Sequence, residues 1–301
     1  MYKPIEFFSQ GAILRGRLYI PENIEQIHPV VVMAHGFTST INGMTADNYA
    51  ERFRDAGYAV VLYDHRNLGI SDGEPRQEIN YWIQARGYID AIDFISSKKE
   101  IDADKIAVWG CSATGRLAFI VGAVDDRVKA ILAQVPAFGA ELPPKDNDGK
   151  LVEYAKQLLL SDTIMDLPHT TTEQMAVVSL DQEKSPSALQ EETAYHWFTK
   201  YGGREGTRWQ NSITISRPVM PEDFHVGQFA THLKAPILMV VAEDDEINGA
   251  DPEIAREIFK MISQPKQWVD IDGGHFGLLY YPSSNFDKSS QVQIEFLKNK
   301  L

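Results

Sequence analysis

The segment Lys105-Ile-Ala-Val-Trp-Gly-Cys-Ser-Ala-Thr-Gly-Arg-Leu-Ala-Phe-Ile120 constrains the fold more than any other part of the chain. A short apolar run meets a Gly-x-Ser-x-Thr-Gly turn and then an apolar helical pattern, so it reads as strand, sharp turn and helix with Ser112 at the apex. Such a turn holds its central residue in strained dihedrals and lifts the side chain clear of the sheet, which requires small residues two positions to either side. Gly110 and Thr114 occupy those positions, and Gly115 follows. With Cys111 at the apex instead, Trp109 would stand two residues before it, where its ring meets the start of the helix. Ser112 is therefore read as the nucleophile and Cys111 as a small buried hydrophobe.

The rest of the chain supplies the sheet that such a turn needs. Pro29-Val-Val-Val-Met-Ala34 is a continuous apolar run of strand length, as a parallel strand buried on both faces requires, and His35-Gly36 ends it. Tyr49, Phe53 and Ala56 fall at helical spacing and Gly57 closes that helix before a buried strand at 58–63. A helix at 82–97, a strand at 105–109, the Ser112 turn with its helix and a strand at 128–134 are predicted to follow. Ahead of them, 5–9 and 12–20 read as an antiparallel edge joined at Gln10-Gly11. This alternation implies an α/β fold with a mostly parallel central sheet flanked by helices and right-handed crossovers.

After Pro136 the alternation stops. Helical patterns are expected at 151–160, 172–180 and 191–201, and the sheet pattern resumes at Pro236-Ile-Leu-Met-Val-Val-Ala242. A helix at 252–262, a strand at 266–271 and a last helix near 289–297 complete it. The expected division is a first core segment over 1–138, a helical cap over 139–231 inserted after the sixth core strand, and a second core segment over 232–301.

Composition narrows the partners. The 301 residues are 44% apolar, ample for a sizeable core, and the formal net charge of −13 argues against nucleic acid or anionic lipid. A single cysteine excludes an intramolecular disulfide and fits a reducing compartment. Met1-Tyr-Lys-Pro-Ile-Glu6 has no signal-peptide pattern and no apolar run is long enough to span a bilayer, so a cytoplasmic location is expected.

A serine hydroxyl needs a base to take its proton, and the base needs a third group to fix its tautomer. The strand at 236–242 ends in Ala242-Glu-Asp-Asp-Glu246, at the sheet edge where the Ser112 turn also lies. Asp245 is chosen as the orienting acid, with Asp244 and Glu243 as competitors. Asp272-Gly-Gly-His-Phe276 can deliver His275 to the same edge as the general base. The backbone N–H groups of Phe37 and Ala113 are assigned to the oxyanion hole. Tyr195, Trp197, Phe198, Tyr201 and Trp209 either roof an apolar acyl pocket or hold the cap together. Asp64 and Arg66 are read as a buried pair bracing a loop, and His35, His65 and Trp82 as packing residues, the last two with a place at the mouth as the alternative. No cluster has zinc-ligand spacing and no glycine-rich loop has phosphate-binding form, so neither metal nor cofactor is inferred.

In this order, the residues resemble the α/β-hydrolase superfamily, and more narrowly its dienelactone-hydrolase-like and X-Pro-dipeptidyl-peptidase-like esterases. The pieces are His35-Gly-Phe-Thr38, Tyr63-Asp-His-Arg-Asn-Leu-Gly-Ile-Ser-Asp-Gly73, Gly110-Cys-Ser-Ala-Thr-Gly115, Ala242-Glu-Asp-Asp245 and Gly273-Gly-His-Phe276. Dienelactone hydrolases use cysteine at the apex, where this chain has serine. The run from Asp64 to Ile79 is also similar to hydrolases of fungal and bacterial polyketide pathways, which implies esters, lactones or thioesters as substrates.

The reading is a serine hydrolase that cleaves a carboxylic ester, lactone or thioester of a small molecule through Ser112, His275 and Asp245. A histidine base predicts activity that falls on acidification. An acyltransferase or a short-peptide peptidase on the same triad is the near alternative, and a non-catalytic ligand-binding protein on the same fold is the distant one. The expected partner is a small-molecule acyl substrate. Homo-oligomerisation is left open.

Overall fold

The computed structural model describes residues 1–23, 26–161 and 164–301. Strands β1 (Tyr2–Ser9) and β2 (Ala12–Tyr19) form an antiparallel hairpin in which Ser9 faces Ala12. Gln10 and Gly11 both have positive φ, 45° and 76°, the backbone that a two-residue hairpin loop needs to match strand twist. Next come β3 (His28–Ala34), helix α1 (Ala46–Asp55) and β4 (Ala59–Tyr63), the last buried throughout. A two-residue strand, β5 (Glu78–Ile79), precedes α2 (Tyr81–Ser96). The Asn80 side chain caps α2 by accepting from the Trp82 and Ile83 amides. Then follow β6 (Ile101–Cys111), α3 (Ala113–Val124) and β7 (Val128–Gln134). Strand β6 begins earlier than the apolar run suggests, because between buried Ile101 and Ile106 it passes through Asp102-Ala-Asp-Lys105, a mostly polar and exposed stretch.

The segment between the two halves of the core is mixed in structure. It holds α4 (Lys150–Leu160), β8 (His169–Thr171), β9 (Ala176–Val178), β10 (Ser187–Leu189), α5 (Glu192–Gly202) and β11 (Thr214–Pro218). The helix expected at 172–180 is not formed, and β9 runs there instead. Asn211 explains the change: its side-chain oxygen accepts from the Val177 and Val178 amides at 2.9 and 3.0 Å, and its amide donates to the Val178 carbonyl. Strand β9 pairs in parallel with β10, and this polar side chain adds acceptors for two of its buried β-branched residues. Strand β11 pairs with β5 and β8, and so ties this segment to the loop that precedes α2.

The chain closes with β12 (Ile237–Val241), α6 (Pro252–Met261), β13 (Lys266–Asp270), the single turn α7 (Gly274–Gly277) and α8 (Ser284–Lys300). Helix α8 extends beyond the expected 289–297 on both sides, where its residues are mostly polar. The eight-stranded sheet has the order β1-β2-β4-β3-β6-β7-β12-β13, antiparallel across β1, β2 and β4 and parallel elsewhere. Residues alternate between two cores along each strand: Val30 and Val32 pack toward α2, α3 and α6, whereas Val31 and Met33 pack toward α1 and α8. The carboxyl ends of β3, β6, β12 and β13 converge on one edge.

Candidate active site

Between β6 and α3 the chain turns at Ser112, which has φ 58° and ψ −121°. The surroundings enforce this conformation. A Cβ at Gly110 would lie 1.9 Å from the Thr114 carbonyl oxygen, so only glycine fits there. The buried Thr114 hydroxyl accepts from the Cys111 amide at 2.9 Å and lies 3.2 Å from the Ala34 carbonyl, joining the turn to β3. The Ser112 amide donates to the Gln134 carbonyl, and the Ser112 carbonyl accepts from Ala137. Cys111 is buried, and burial pushes its thiol well above the usual range, so it supplies no thiolate.

His275 and Asp245 meet as their positions in sequence suggest. The Asp245 Oδ2 accepts from His275 Nδ1 at 2.7 Å, and its Oδ1 accepts from the Ile247 amide at 3.0 Å. This bond places the ring proton on Nδ1 and leaves Nε2 free as a base. The pair is sealed, with side-chain exposures of 3% for His275 and 0% for Asp245. Burial pushes the Asp245 carboxyl upward, and the bond to His275 opposes it.

The neighbouring acids have separate work. Asp244 accepts from the Gly273 and Gly274 amides, and these bonds hold its carboxyl below the usual range. Glu246 accepts from the His275 amide at 2.9 Å and from the Thr193 hydroxyl of α5. Glu243 pairs with Arg256 at the surface. Glu246 thereby fixes the His275 backbone and ties it to α5. An acidic run at a strand end gives no signal that distinguishes this role.

Gly36 lets the loop after β3 lie against the elbow: a Cβ there would sit 2.9 Å from the Cys111 carbonyl oxygen and 3.5 Å from the Ser112 Cβ. Among the described residues, neither the Phe37 nor the Ala113 amide has an acceptor. Beside Ser112 and His275 lies a chamber of about 30 Å³, space for one or two waters. Trp197 and Phe198 line it, Trp197 stacking on Phe276 with 5.3 Å between centroids and Phe198 on Trp209 with 5.5 Å. Tyr195 does not line it. It stands two positions from Trp197, on another side of α5, and its ring contacts His196.

A wider cleft of about 1170 Å³ opens from Ser112, Ala113 and Phe37 toward Tyr81, Trp82 and Arg116. Trp82 is thus both a packing residue and a lining one. His65 is buried against Tyr63 and Tyr88, and His35 against Trp197 beside the chamber. The expected Asp64–Arg66 pair is absent: Asp64 accepts from the Ile41 and Ile70 amides at 2.8 and 2.9 Å, while Arg66 donates to Asn67 Oδ1. Backbone donors already fill the carboxylate, so it needs no cation. Among the described residues no group of His, Cys, Asp and Glu is arranged to hold a metal ion, and no helix is long and apolar enough to cross a membrane.

A family model described as alpha/beta hydrolase fold matches residues 29–282. Over 307 residues the chain is 27% identical to a thiohydrolase, aneE, of Aspergillus aculeatus, covering 100% of this chain and 94% of that one. It is 26% identical to a polyketide transferase, af380, of Aspergillus fumigatus, covering 97% and 95%. The solved structure of DcsB, in complex with its substrate analogue, superposes with a TM-score of 0.74 at 22% identity and covers both chains fully. At that identity the likeness speaks for the fold.

Proposed function

The chain belongs to the alpha/beta hydrolase fold family, and from that premise we propose that it is a serine hydrolase acting on a small-molecule carboxylic ester, lactone or thioester. The observation that carries the reading is the 2.7 Å bond between His275 Nδ1 and the sealed Asp245 carboxylate, beside a serine held at φ 58°. In this reading the Ser112 hydroxyl attacks the acyl carbonyl as His275 Nε2 takes its proton. The Phe37 and Ala113 amides, which have no acceptor of their own among the described residues, hold the oxyanion. His275 returns the proton to the leaving oxygen or sulfur; water, giving its proton to His275, then attacks the acyl carbon, the bond to Ser112 Oγ breaks and His275 reprotonates that oxygen. Asp245 keeps the ring in the productive tautomer.

Relatives named thiohydrolases support a thioester as the bond cleaved. A second reading, transfer of the acyl group to an alcohol or amine, is favoured by the relatives named polyketide transferases. Both share the acyl-enzyme. The closer affiliation with dienelactone-hydrolase-like and X-Pro-dipeptidyl-peptidase-like esterases, and the division into core and cap at 138 and 231, belong to the same proposal. A fluorophosphonate probe tests it: one adduct per chain is expected, mapped to Ser112 and lost in Ser112→Ala. Failure of the open, folded protein to react would favour a ligand-binding protein without turnover.

A further inference from the structure

The mechanism leaves one half-buried cation unused. Arg116 stands one turn after Ser112 on α3, and Ser112, Ala113, Arg116, Leu117 and Ile120 present one face of that helix to the wide cleft. The Arg116 guanidinium lies over the Tyr81 ring at 4.2 Å, while its Nε is shut off from solvent and donates to nothing among the described residues. Burial disfavours its charge, and the groups that act on it do not include a carboxylate. Arg217 on β11 lines the same cleft and, like Arg116, acts on Tyr81. It has no ion-pair partner among the described residues, most of whose other arginines are paired with carboxylates. In a chain of net charge −13, two arginines without an ion-pair partner among the described residues line the cleft that opens from the nucleophile, although Glu141 and Glu191 line it too.

A guanidinium drawn partly out of water against one tyrosine, with no carboxylate acting on it, is completed by a ligand of opposite charge. We propose that Arg116, assisted by Arg217, is a specificity residue that binds an oxyanion carried by the substrate, a carboxylate on the acyl chain or a phosphate on the leaving group. This rests on the hydrolase reading, since it places the reacting carbonyl at Ser112. Four residues along α3 correspond to ~6 Å, so the anionic group would lie some carbons from the scissile bond, along the floor of the cleft. The guanidinium contributes binding and orientation only, and no step of the chemistry passes through it.

The test uses two pairs of substrates matched except for charge. The first is the N-acetylcysteamine thioester of glutarate against its distal methyl ester. The second is the butyryl thioester of 3-mercaptopropyl phosphate against that of its dimethyl phosphate ester. At least one pair is expected to favour the anionic member in kcat/KM by about tenfold to a hundredfold, the range of one charge-assisted bidentate contact. Arg116→Met, which keeps the stem over Tyr81, should bring that ratio close to one, and Arg116→Lys should recover part of it. The glutarate pair responding assigns the anion to the acyl chain, and the mercaptopropyl phosphate pair assigns it to the leaving group. Ratios near one in the natural protein, or ratios that survive Arg116→Met, overturn the proposal. Titration calorimetry on Ser112→Ala, with ketone analogues that carry methylene in place of sulfur, reads the same preference without turnover. Charge-selective binding in an inactive enzyme would thus refute the hydrolase reading alone, and turnover without charge preference would refute the arginine's role alone.

Discussion

Ser112 is held by what surrounds it: a glycine two residues before, the Thr114 hydroxyl bracing the turn to β3, and backbone bonds to Gln134 and Ala137. His275 is held in the same way, by Asp245 through its ring and by Glu246 through its amide. Residues that act as one unit lose function together. Ser112→Ala, His275→Ala and the double variant are each expected to lower kcat by about 10⁴ to 10⁶, with the double no worse than the more damaging single. Losses that multiplied in the double variant would mean the two residues act independently. These positions are legible in the sequence because each follows a recognisable strand end, and glycines mark the tight backbone around them. Legibility fails where a charged side chain satisfies backbone groups rather than another charge. Asp64 was expected to meet Arg66 and instead accepts two amides, and Glu246 looks like any exposed acid until the His275 amide is seen to donate to it. Tyr195 was expected at the pocket with Trp197 and Phe198, but their adjacency in sequence does not put them on one side of α5.

At the scale of elements, buried parallel strands announce themselves as apolar runs, and β3, β4, β7 and β12 fall within a residue or two of their expected bounds. The inserted segment does not follow such a rule. Strand β9 is three residues long, and its amides are satisfied by Asn211, a residue 33 and 34 positions away. No local period reveals a three-residue strand held by a short parallel partner, β10, and by one side chain some thirty residues on. Asn211→Ala should therefore leave two buried amides without acceptors and destabilise the fold by about 2 to 4 kcal/mol, read as a lower thermal midpoint. Hydrogen exchange should place the loss of protection at Val177 and Val178. Unchanged protection there would contradict the role given to Asn211. The same segment carries Trp197, Phe198 and Leu189 to the chamber and Arg217 to the cleft, so its path decides the shape of both.

For the whole molecule, burial of titratable groups sets how stability responds to pH. His35 and His65 are enclosed without an anionic partner, and burial pushes them down to about 4 and about 3. Their unfolded forms take up protons below ~6.5 while the native forms do not, so stability falls as pH drops through that window. Asp64 works the other way. Burial raises it to about 6, its native form holds a proton that the unfolded chain has released, and stability falls as pH rises from ~4 to about 6. Two imidazoles outweigh one carboxyl, so the three groups together lower stability as pH drops from about 6 toward 4. His65→Phe, which keeps a ring against Tyr63 and removes a buried Nε2 that has no partner, should flatten the dependence of the thermal midpoint on pH across that range. Parallel curves for the variant and the natural protein would contradict it.

All of this serves the claim that an acyl group passes through Ser112, and trapping that intermediate tests the claim most directly. The protein would be mixed with a short-chain acyl thioester, quenched in acid within milliseconds to seconds, and weighed intact before peptide mapping. Turnover through an acyl-enzyme gives a transient mass increase equal to one acyl group, located on Ser112, accompanied by a burst of free thiol equal to the enzyme present. Thiol release without an adduct, at a rate unaltered in Ser112→Ala, would contradict it.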